Sequence, residues 1–163
     1  MPPEFLMELL DELAPLHRAI ETSAYCSADT FARALERLEF VFMDVKHMDD
    51  EQHRYYTGVG NQRILENLEI LKRSGVPFAI RVPTIAGVND DVENIRKLGE
   101  RLQGCNHLRY VELLPYNSMA GAKYQLLDMH YGETFAAPDM QQLDLLVAEL
   151  KHMGVPAKYR KPV

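Results

Sequence analysis

The sequence predicts an α/β fold in which four or five strand–helix units build one parallel sheet. Segments with apolar residues at helical spacing alternate with short apolar strands, which is typical of parallel βαβ units with right-handed crossovers. The clearest strand begins at Phe40 and is apolar on both faces until Asp44 and Lys46 interrupt it, as in a parallel sheet covered on both sides. A chain of 163 residues, 47% hydrophobic and 26% charged, is sufficient for one core, so we expect residues 1–163 to form a single domain.

The composition excludes several classes of protein. A net charge of −6 and the lack of a Lys/Arg run argue against a nucleic-acid-binding surface. No apolar run is long enough to span a bilayer, and the start lacks the apolar core of a signal peptide, so we expect a cytoplasmic protein with no membrane partner. Cys26 and Cys105 fit no metal-ligand spacing and are expected to be reduced, buried thiols.

Five segments have the apolar spacing and end signals of helices. Asn61 is expected to be the N-cap of the third helix, and Asp90 or Asp91 that of the fourth. Gly75 suits the position just after the end of the third helix. The predicted helices cover residues 4–14, 27–38, 61–75, 90–104 and 139–153.

Strands are predicted between these helices. They cover residues 17–22, 40–46, 78–82 and 108–114, with a possible final strand at 155–159. Residues 47–60 are expected to form a polar loop. The connection over 117–138 is longer than compact domains normally use, which indicates a functional or disordered segment. Its tyrosines, Tyr124 and Tyr131, together with Tyr116 favour an ordered one.

Polar side chains lie at the carboxyl ends of four successive predicted strands. Because side chains alternate along a strand, Asp44 and Lys46 share one face, and Arg81 is expected to point into the same interior. Charges in such a place are costly unless they are paired or bound to a ligand. Either Asp44 and Lys46 neutralise each other, or they belong to a site at the end of the sheet where α/β proteins bind their ligands. The groups at these ends are Glu21 and Thr22, Asp44 and Lys46, Arg81 and Thr84, and Glu112 and Asn117.

Five motifs occur along the chain in an order and at spacings that resemble one family. They are Glu21–Tyr25, Met43–His47, Tyr56–Val59, Arg81–Pro83 with Gly87–Asp90, and Glu112–Tyr116. Together they resemble the radical S-adenosylmethionine enzymes that activate glycyl-radical enzymes, with the pyruvate formate-lyase activating enzyme as the best-known kind. The resemblance covers nearly the whole chain, and its strength lies in the ordered set, since each motif alone is weak.

The resemblance implies a fold, a reaction and partners. The family folds as a partial (β/α)6 barrel and carries a 4Fe-4S cluster on a CxxxCxxC loop, where the cluster binds S-adenosylmethionine. One-electron reduction, from a donor such as flavodoxin or ferredoxin, yields a 5′-deoxyadenosyl radical. That radical removes a hydrogen atom from a backbone glycine of the partner, which is a glycyl-radical enzyme such as pyruvate formate-lyase.

The resemblance also assigns roles to residues of this chain. Glu21, Thr22 and Asp44 match a site for a monovalent cation, which prefers oxygen ligands. Asn117 stands where the family often has a histidine, and unlike histidine it does not titrate near neutral pH. Ala24 replaces a frequent glycine. The positions matching residues that contact S-adenosylmethionine or lie beside it are Thr22, Asp44, Val45, Lys46, Arg81 and Asn117.

The family's cluster motif is missing from this sequence. There is no CxxxCxxC, and two isolated cysteines cannot supply three thiolates to one cluster, so no iron–sulfur ligands are expected in this chain. We therefore expect a truncated partial barrel, the C-terminal portion of an activase without the cluster-binding N-terminal segment and inactive alone. Its first strand should expose an unpaired edge, which favours self-association.

Two other functions are compatible with the residues. A complete small α/β lyase of the aldolase kind would use Lys46 to form a Schiff base, with Asp44 and Arg81 assisting. A non-catalytic binding module would use the 117–138 connection as its contact surface. Trapping with borohydride and a carbonyl substrate tests the first alternative. Unchanged partner binding after Asp44→Ala and Lys46→Ala would favour the second.

Overall fold

The computed structural model describes residues 2–117 and 135–160, and it confirms the predicted α/β fold. Every predicted helix and strand is present, with ends that shift by a few residues. In chain order the described elements are α1 (Pro3–Glu12), β1 (Ala19–Thr22), α2 (Ala28–Leu35), β2 (Phe40–Asp44), α3 (Asp50–Thr57), α4 (Gln62–Ser74), β3 (Phe78–Thr84), α5 (Val92–Leu102), β4 (Leu108–Pro115), α6 (Met140–His152) and β5 (Ala157–Tyr159).

The five strands form one sheet in the order β1-β2-β3-β4-β5, and every neighbouring pair is parallel. Sequential order with parallel pairing means that each crossover helix returns the chain to the next strand along the sheet. All carboxyl ends of the strands therefore lie along one edge, which we call the carboxyl rim.

The helices cover one face of the sheet. Val41, Met43 and Val45 point to this face and are buried in one continuous apolar core with the inner sides of the helices. Leu68 of α4 and Leu98 of α5 belong to the same core. The opposite face carries Phe40, Phe42 and Asp44, all of which are only half-buried. The expectation that β2 is covered on both sides is therefore wrong for the described part of the chain. We call this second face the open face.

The predicted loop over 47–60 contains a helix, α3. Asp49 caps it by accepting a hydrogen bond from the Gln52 amide at 2.9 Å, and Gly58 ends it with a φ of 80°. No apolar period indicates this helix, because His53 is the one residue of Asp50–Thr57 that is buried. Its stability depends on the cap and on loop contacts rather than on an apolar stripe.

The predicted caps are correct at one helix and incorrect at another. Asp91, rather than Asp90, caps α5 by accepting from the Asn94 amide at 2.8 Å. Asn61 occupies the N-cap position of α4, but its side chain makes no capping bond. Instead it donates to the backbone carbonyls of His47 and Met48, while Asp50 accepts from the Asn61 amide at 2.7 Å. Asn61 thus fixes the loop that follows β2.

Two further expectations concern segments at the margins of the fold. Within the described ranges β1 pairs only with β2, so β1 lies at the edge of the sheet, as expected. Self-association of the protein through this edge strand stays a prediction. Most of the predicted 117–138 connection, including Tyr124 and Tyr131, lies outside the described residues. Of the helices in residues 2–117 and 135–160, none is long and apolar enough to cross a membrane.

Candidate functional site

Four charged residues form a row across the open face, just inside the carboxyl rim. Asp44 of β2 is the register partner of Arg81 on β3, Arg81 is the partner of Glu112 on β4, and Glu112 is the partner of Lys158 on β5. The signs alternate along this charged row. The structure therefore brings together Asp44 and Arg81, as the sequence predicts, and adds two charges from the following strands.

Arg81 is held from three sides. Its Nη1 forms an ion pair with Glu21 Oε2 at 2.5 Å, its Nε lies 3.5 Å from Glu112 Oε2, and its guanidinium carbon lies 4.2 Å from the centre of the Phe42 ring. Burial, the largest single effect, lowers the pKa of Arg81, but the bond to Glu21 and the charges of Glu21, Glu112 and Asp44 together raise it. The guanidinium is thus a permanent, oriented cation.

Asp44 is only partly satisfied by its neighbours. Its Oδ2 lies 3.3 Å from Lys46 Nζ, which agrees with the predicted Asp44–Lys46 pair. Its Oδ1 is buried and has no hydrogen-bond partner among the described residues, and Arg81 Nε has none either. Buried polar atoms without partners are uncommon and require an explanation, such as a ligand or an ordered water. The Asp44–Lys46 pair does not neutralise the site completely.

Lys158 and Glu112 extend the site beyond the residues that the sequence singled out. Lys158 Nζ lies 3.7 Å from Glu112 Oε1 and 3.7 Å from the centre of the Tyr110 ring. Sequence reasoning noted Glu112 only as a polar strand end and missed Lys158, since a lysine in a three-residue strand gives no periodic signal. The register of β5 with β4 is the information that identifies it.

Thr22 and Val45 point away from the open face. Thr22 accepts a hydrogen bond from the Ala24 amide at 2.9 Å, and Ala24 itself has a φ of 53°, a conformation that glycine adopts more readily. The Val45 side chain lies in the core, so only its backbone faces the rim. Among the described residues no group of three or more His, Cys, Asp or Glu could hold a metal, and the cation site of Glu21, Thr22 and Asp44 stays a prediction.

Buried asparagines connect the loops along the rim. Asn89 donates to the carbonyls of Lys46 at 2.6 Å and Pro83 at 2.7 Å, and accepts from the Ile85 amide at 2.8 Å. Asn94 accepts from the Met48 amide at 2.8 Å. Together they join the loop after β2 to the loop after β3, which fixes the backbone at Lys46. Sequence reasoning missed both, since asparagine in these positions is typical of turns and caps.

Aromatic rings line the rim near Asn117, which follows β4. The Phe135 ring lies 5.9 Å from Tyr116 and 6.4 Å from Tyr56, both with tilted, edge-on geometry. The Tyr116 amide donates to the Thr84 carbonyl at 2.9 Å, so the end of β4 stays attached to β3. This aromatic cluster forms one border of the open face.

The two cysteines lie at opposite ends of the sheet. Cys26 follows the carboxyl end of β1, whereas Cys105 precedes the amino end of β4. Both are free and half-buried rather than fully buried, and burial raises the pKa of the Cys26 thiol. They cannot contribute ligands to one iron–sulfur cluster.

Curated proteins with similar sequences are activating enzymes. The chain is 38% identical over 156 residues to the isethionate sulfite-lyase activating enzyme of Nitratidesulfovibrio vulgaris, covering 90% of this chain and 50% of that enzyme. It is 41% identical over 135 residues to the 4-hydroxyphenylacetate decarboxylase activating enzyme of Clostridium scatologenes, and this match covers 80% of this chain and 43% of that enzyme. The chain thus spans about half the length of these curated relatives. No protein-family model matches it.

A solved structure has the same fold over nearly its whole length. The crystal structure of a domain of pyruvate-formate lyase-activating enzyme from Bacteroides vulgatus superposes with a TM-score of 0.81 at 26% identity. The match covers 98% of this chain and 91% of that domain.

Proposed function

Because the chain is homologous to the radical S-adenosylmethionine enzymes that activate glycyl-radical enzymes, and spans about half their length, we propose that it forms one wall of such an activase. In this proposal the carboxyl rim around Asp44, Lys46 and Arg81 binds S-adenosylmethionine. The whole enzyme would use that cofactor, on one-electron reduction by a donor such as flavodoxin or ferredoxin, to remove a hydrogen atom from its partner.

The observation that carries the proposal is the incomplete hydrogen bonding of the site. Asp44 Oδ1 and Arg81 Nε are buried without hydrogen-bond partners at the rim, beside the Lys46 ammonium. The methionine part of S-adenosylmethionine carries one ammonium and one carboxylate. An acceptor and two cations on the same rim are complementary to these groups. Asp44 would accept from the ammonium, while Lys46 and Arg81 would face the carboxylate or the sugar hydroxyls.

The iron–sulfur cluster does not fit the residues of this chain. Cys26 and Cys105 lie at opposite ends of the sheet, and the described residues contain no group of three or more His, Cys, Asp or Glu that could hold a metal. The expectation that the chain alone does not assemble a cluster or cleave S-adenosylmethionine stays a prediction; iron–sulfur absorption with 5′-deoxyadenosine formation by a reconstituted sample would overturn it.

The partner in this proposal is a glycyl-radical enzyme. The names of the relatives concern isethionate sulfite-lyase and 4-hydroxyphenylacetate decarboxylase, and pyruvate formate-lyase is a further candidate. A glycine of the partner must approach the cofactor over the carboxyl rim. The aromatic cluster of Tyr56, Tyr116 and Phe135 borders that approach and offers ring surfaces for a peptide segment.

A binding experiment tests the proposal without a cluster. The chain labelled with ¹⁵N is titrated with S-adenosylmethionine, and amide shifts are expected at residues 44–47 and 81–84. Lys46→Ala should abolish these shifts. Lys72→Ala is the matched control, since Lys72 also pairs with a carboxylate, Glu69 at 3.0 Å, but in the last turn of α4, away from the rim. Shifts that are missing in the wild type, or unchanged in Lys46→Ala, would contradict the proposal.

A further inference from the structure

We propose that Glu112 is a positioning residue, whose charge keeps the Nε end of Arg81 directed away from Asp44 and which is itself held by Lys158. This inference rests on the proposed function, because the group that it keeps available is the Asp44 oxygen assigned to the ligand. It extends the site from β2 and β3 to β4 and β5, where no role has been assigned to a side chain.

The two carboxylates that face Arg81 differ in their exposure to solvent. The Glu112 side chain is only 14% exposed and lies between two cations on adjacent strands, with Arg81 at 3.5 Å and Lys158 at 3.7 Å. The Glu21 side chain is 62% exposed and sits on the edge strand β1. Glu21 makes the shorter contact, to Nη1 at 2.5 Å, but it does so from an exposed edge position where water can compete. Glu112 is the more buried of the two and is the one that faces Arg81 Nε, without a hydrogen bond.

Without the Glu112 charge, Arg81 has an obvious alternative partner. Asp44 is its register neighbour on β2, roughly 5 Å away at the Cα positions of adjacent strands. Asp44 Oδ1 has no hydrogen-bond partner among the described residues, so it can accept from the guanidinium. Arg81 would then occupy the oxygen that the proposed function assigns to the ligand ammonium, and would compete with Lys46 for the same carboxylate.

Lys158 fixes the other side of Glu112. It lies over the Tyr110 ring and approaches the second carboxylate oxygen, Oε1, while Arg81 approaches Oε2. Each oxygen of Glu112 thus faces one cation, which sets the direction of the carboxylate across β4. Loss of Lys158 should loosen Glu112 and affect Arg81 in the same direction as loss of Glu112, but less.

The test follows the Arg81 side chain directly by NMR. The Nε–H resonance of Arg81 is recorded in the wild type, Glu112→Gln, Glu112→Asp and Lys158→Met. We expect a clear shift in Glu112→Gln, partial return towards the wild-type position in Glu112→Asp, and a smaller shift in Lys158→Met. Glu149→Gln is the matched control, because Glu149 pairs with Arg96 at 2.9 Å on the helix side of the sheet, and it should leave Arg81 unchanged.

The same variants are titrated with S-adenosylmethionine. Glu112→Gln should weaken binding about fivefold, which corresponds to about 1 kcal/mol and to the upper range for a partly exposed ion pair. Glu149→Gln should bind like the wild type. A merely structural role would shift the unfolding free energy of Glu112→Gln without moving the Arg81 resonance, and that result overturns the inference.

The remaining outcomes separate this inference from the proposed function. If the wild type shows no binding, the proposed function fails, and the Arg81 resonance alone decides whether Glu112 positions Arg81. If the resonance moves but the affinity of Glu112→Gln is unchanged, a role of Glu112 in ligand binding is overturned. If Glu112→Gln does not fold, the Arg81 resonance and the affinity of Lys158→Met decide instead, with Lys72→Met as the control.

Discussion

Replacement of Asn89 by alanine is the sharpest test of how the rim is held together. Asn89 is 2% exposed and makes three side-chain hydrogen bonds that join the ends of β2 and β3. At about 1 kcal/mol for each bond, Asn89→Ala should lower the free energy of unfolding by about 3 kcal/mol. For a chain of this length, that loss corresponds to a decrease in melting temperature of roughly 6–12 °C.

Urea denaturation of the two asparagine variants measures the effect. Asn106→Ala is the control, since Asn106 lies exposed in the turn before β4 and should change the unfolding free energy by less than about 0.5 kcal/mol. If the slope of the unfolding free energy against urea concentration is the same as in the wild type, the variant has lost stability without a change in the compactness of its folded or unfolded state. A loss below about 1 kcal/mol in Asn89→Ala would refute the idea that this side chain fixes the two loops.

Three further predictions concern stability. The Arg18 guanidinium donates a hydrogen bond to Glu39 and lowers the pKa of that carboxyl to about 2. The contribution of the ionised Glu39 to the free energy of unfolding is therefore complete above the ordinary pKa of 4.5 and is lost as pH falls from there towards 2. Glu39→Gln should flatten the dependence of the unfolding free energy on pH between these values. Asp139→Ala should cost about 1 kcal/mol in urea denaturation through loss of the α6 cap, and Asp139→Asn should restore most of it. Gly99→Ala should fold and change stability by less than about 1 kcal/mol, because the added methyl meets the flexible Met153 side chain and alanine favours the helix; a large loss in thermal unfolding would contradict this.

The sequence was sufficient for the order of the strands and of every described helix except α3, for the parallel sheet and for the meeting of Asp44 with Arg81. These follow from local patterns, namely apolar periods, caps and the alternation of side chains along strands. The row of Asp44, Arg81, Glu112 and Lys158 could not be predicted in full, because register between strands is a tertiary property. Lys158 in particular lies on a strand of three residues, where alternation carries almost no information.

Local sequence patterns could not predict two other features of the structure, the helix α3 and the open face of β2. The helix α3 is held by Asp49, Gly58 and loop contacts instead of by an apolar stripe, so periodicity did not indicate it. Phe40 and Phe42 are apolar residues on the open face, where their tilted rings contact each other at 4.7 Å instead of meeting helices. Phe42 also lies under the Arg81 guanidinium. An apolar strand face therefore predicted a covering layer that the described residues do not provide.

The position of each strand in the sheet also sets the order in which the site would loosen. β3 lies in the middle of the sheet and is paired on both sides, so its amide protons should exchange with solvent only on cooperative opening of the whole sheet. β1 is four residues long and lies at the edge, so its protons should exchange through local fraying. Arg81 thus lies on a central strand, whose amide protons should exchange slowly, whereas Glu21 lies on an edge strand, whose protons should exchange faster. Local fraying of β1 would therefore break the contact between Arg81 and Glu21 while β3 is still paired.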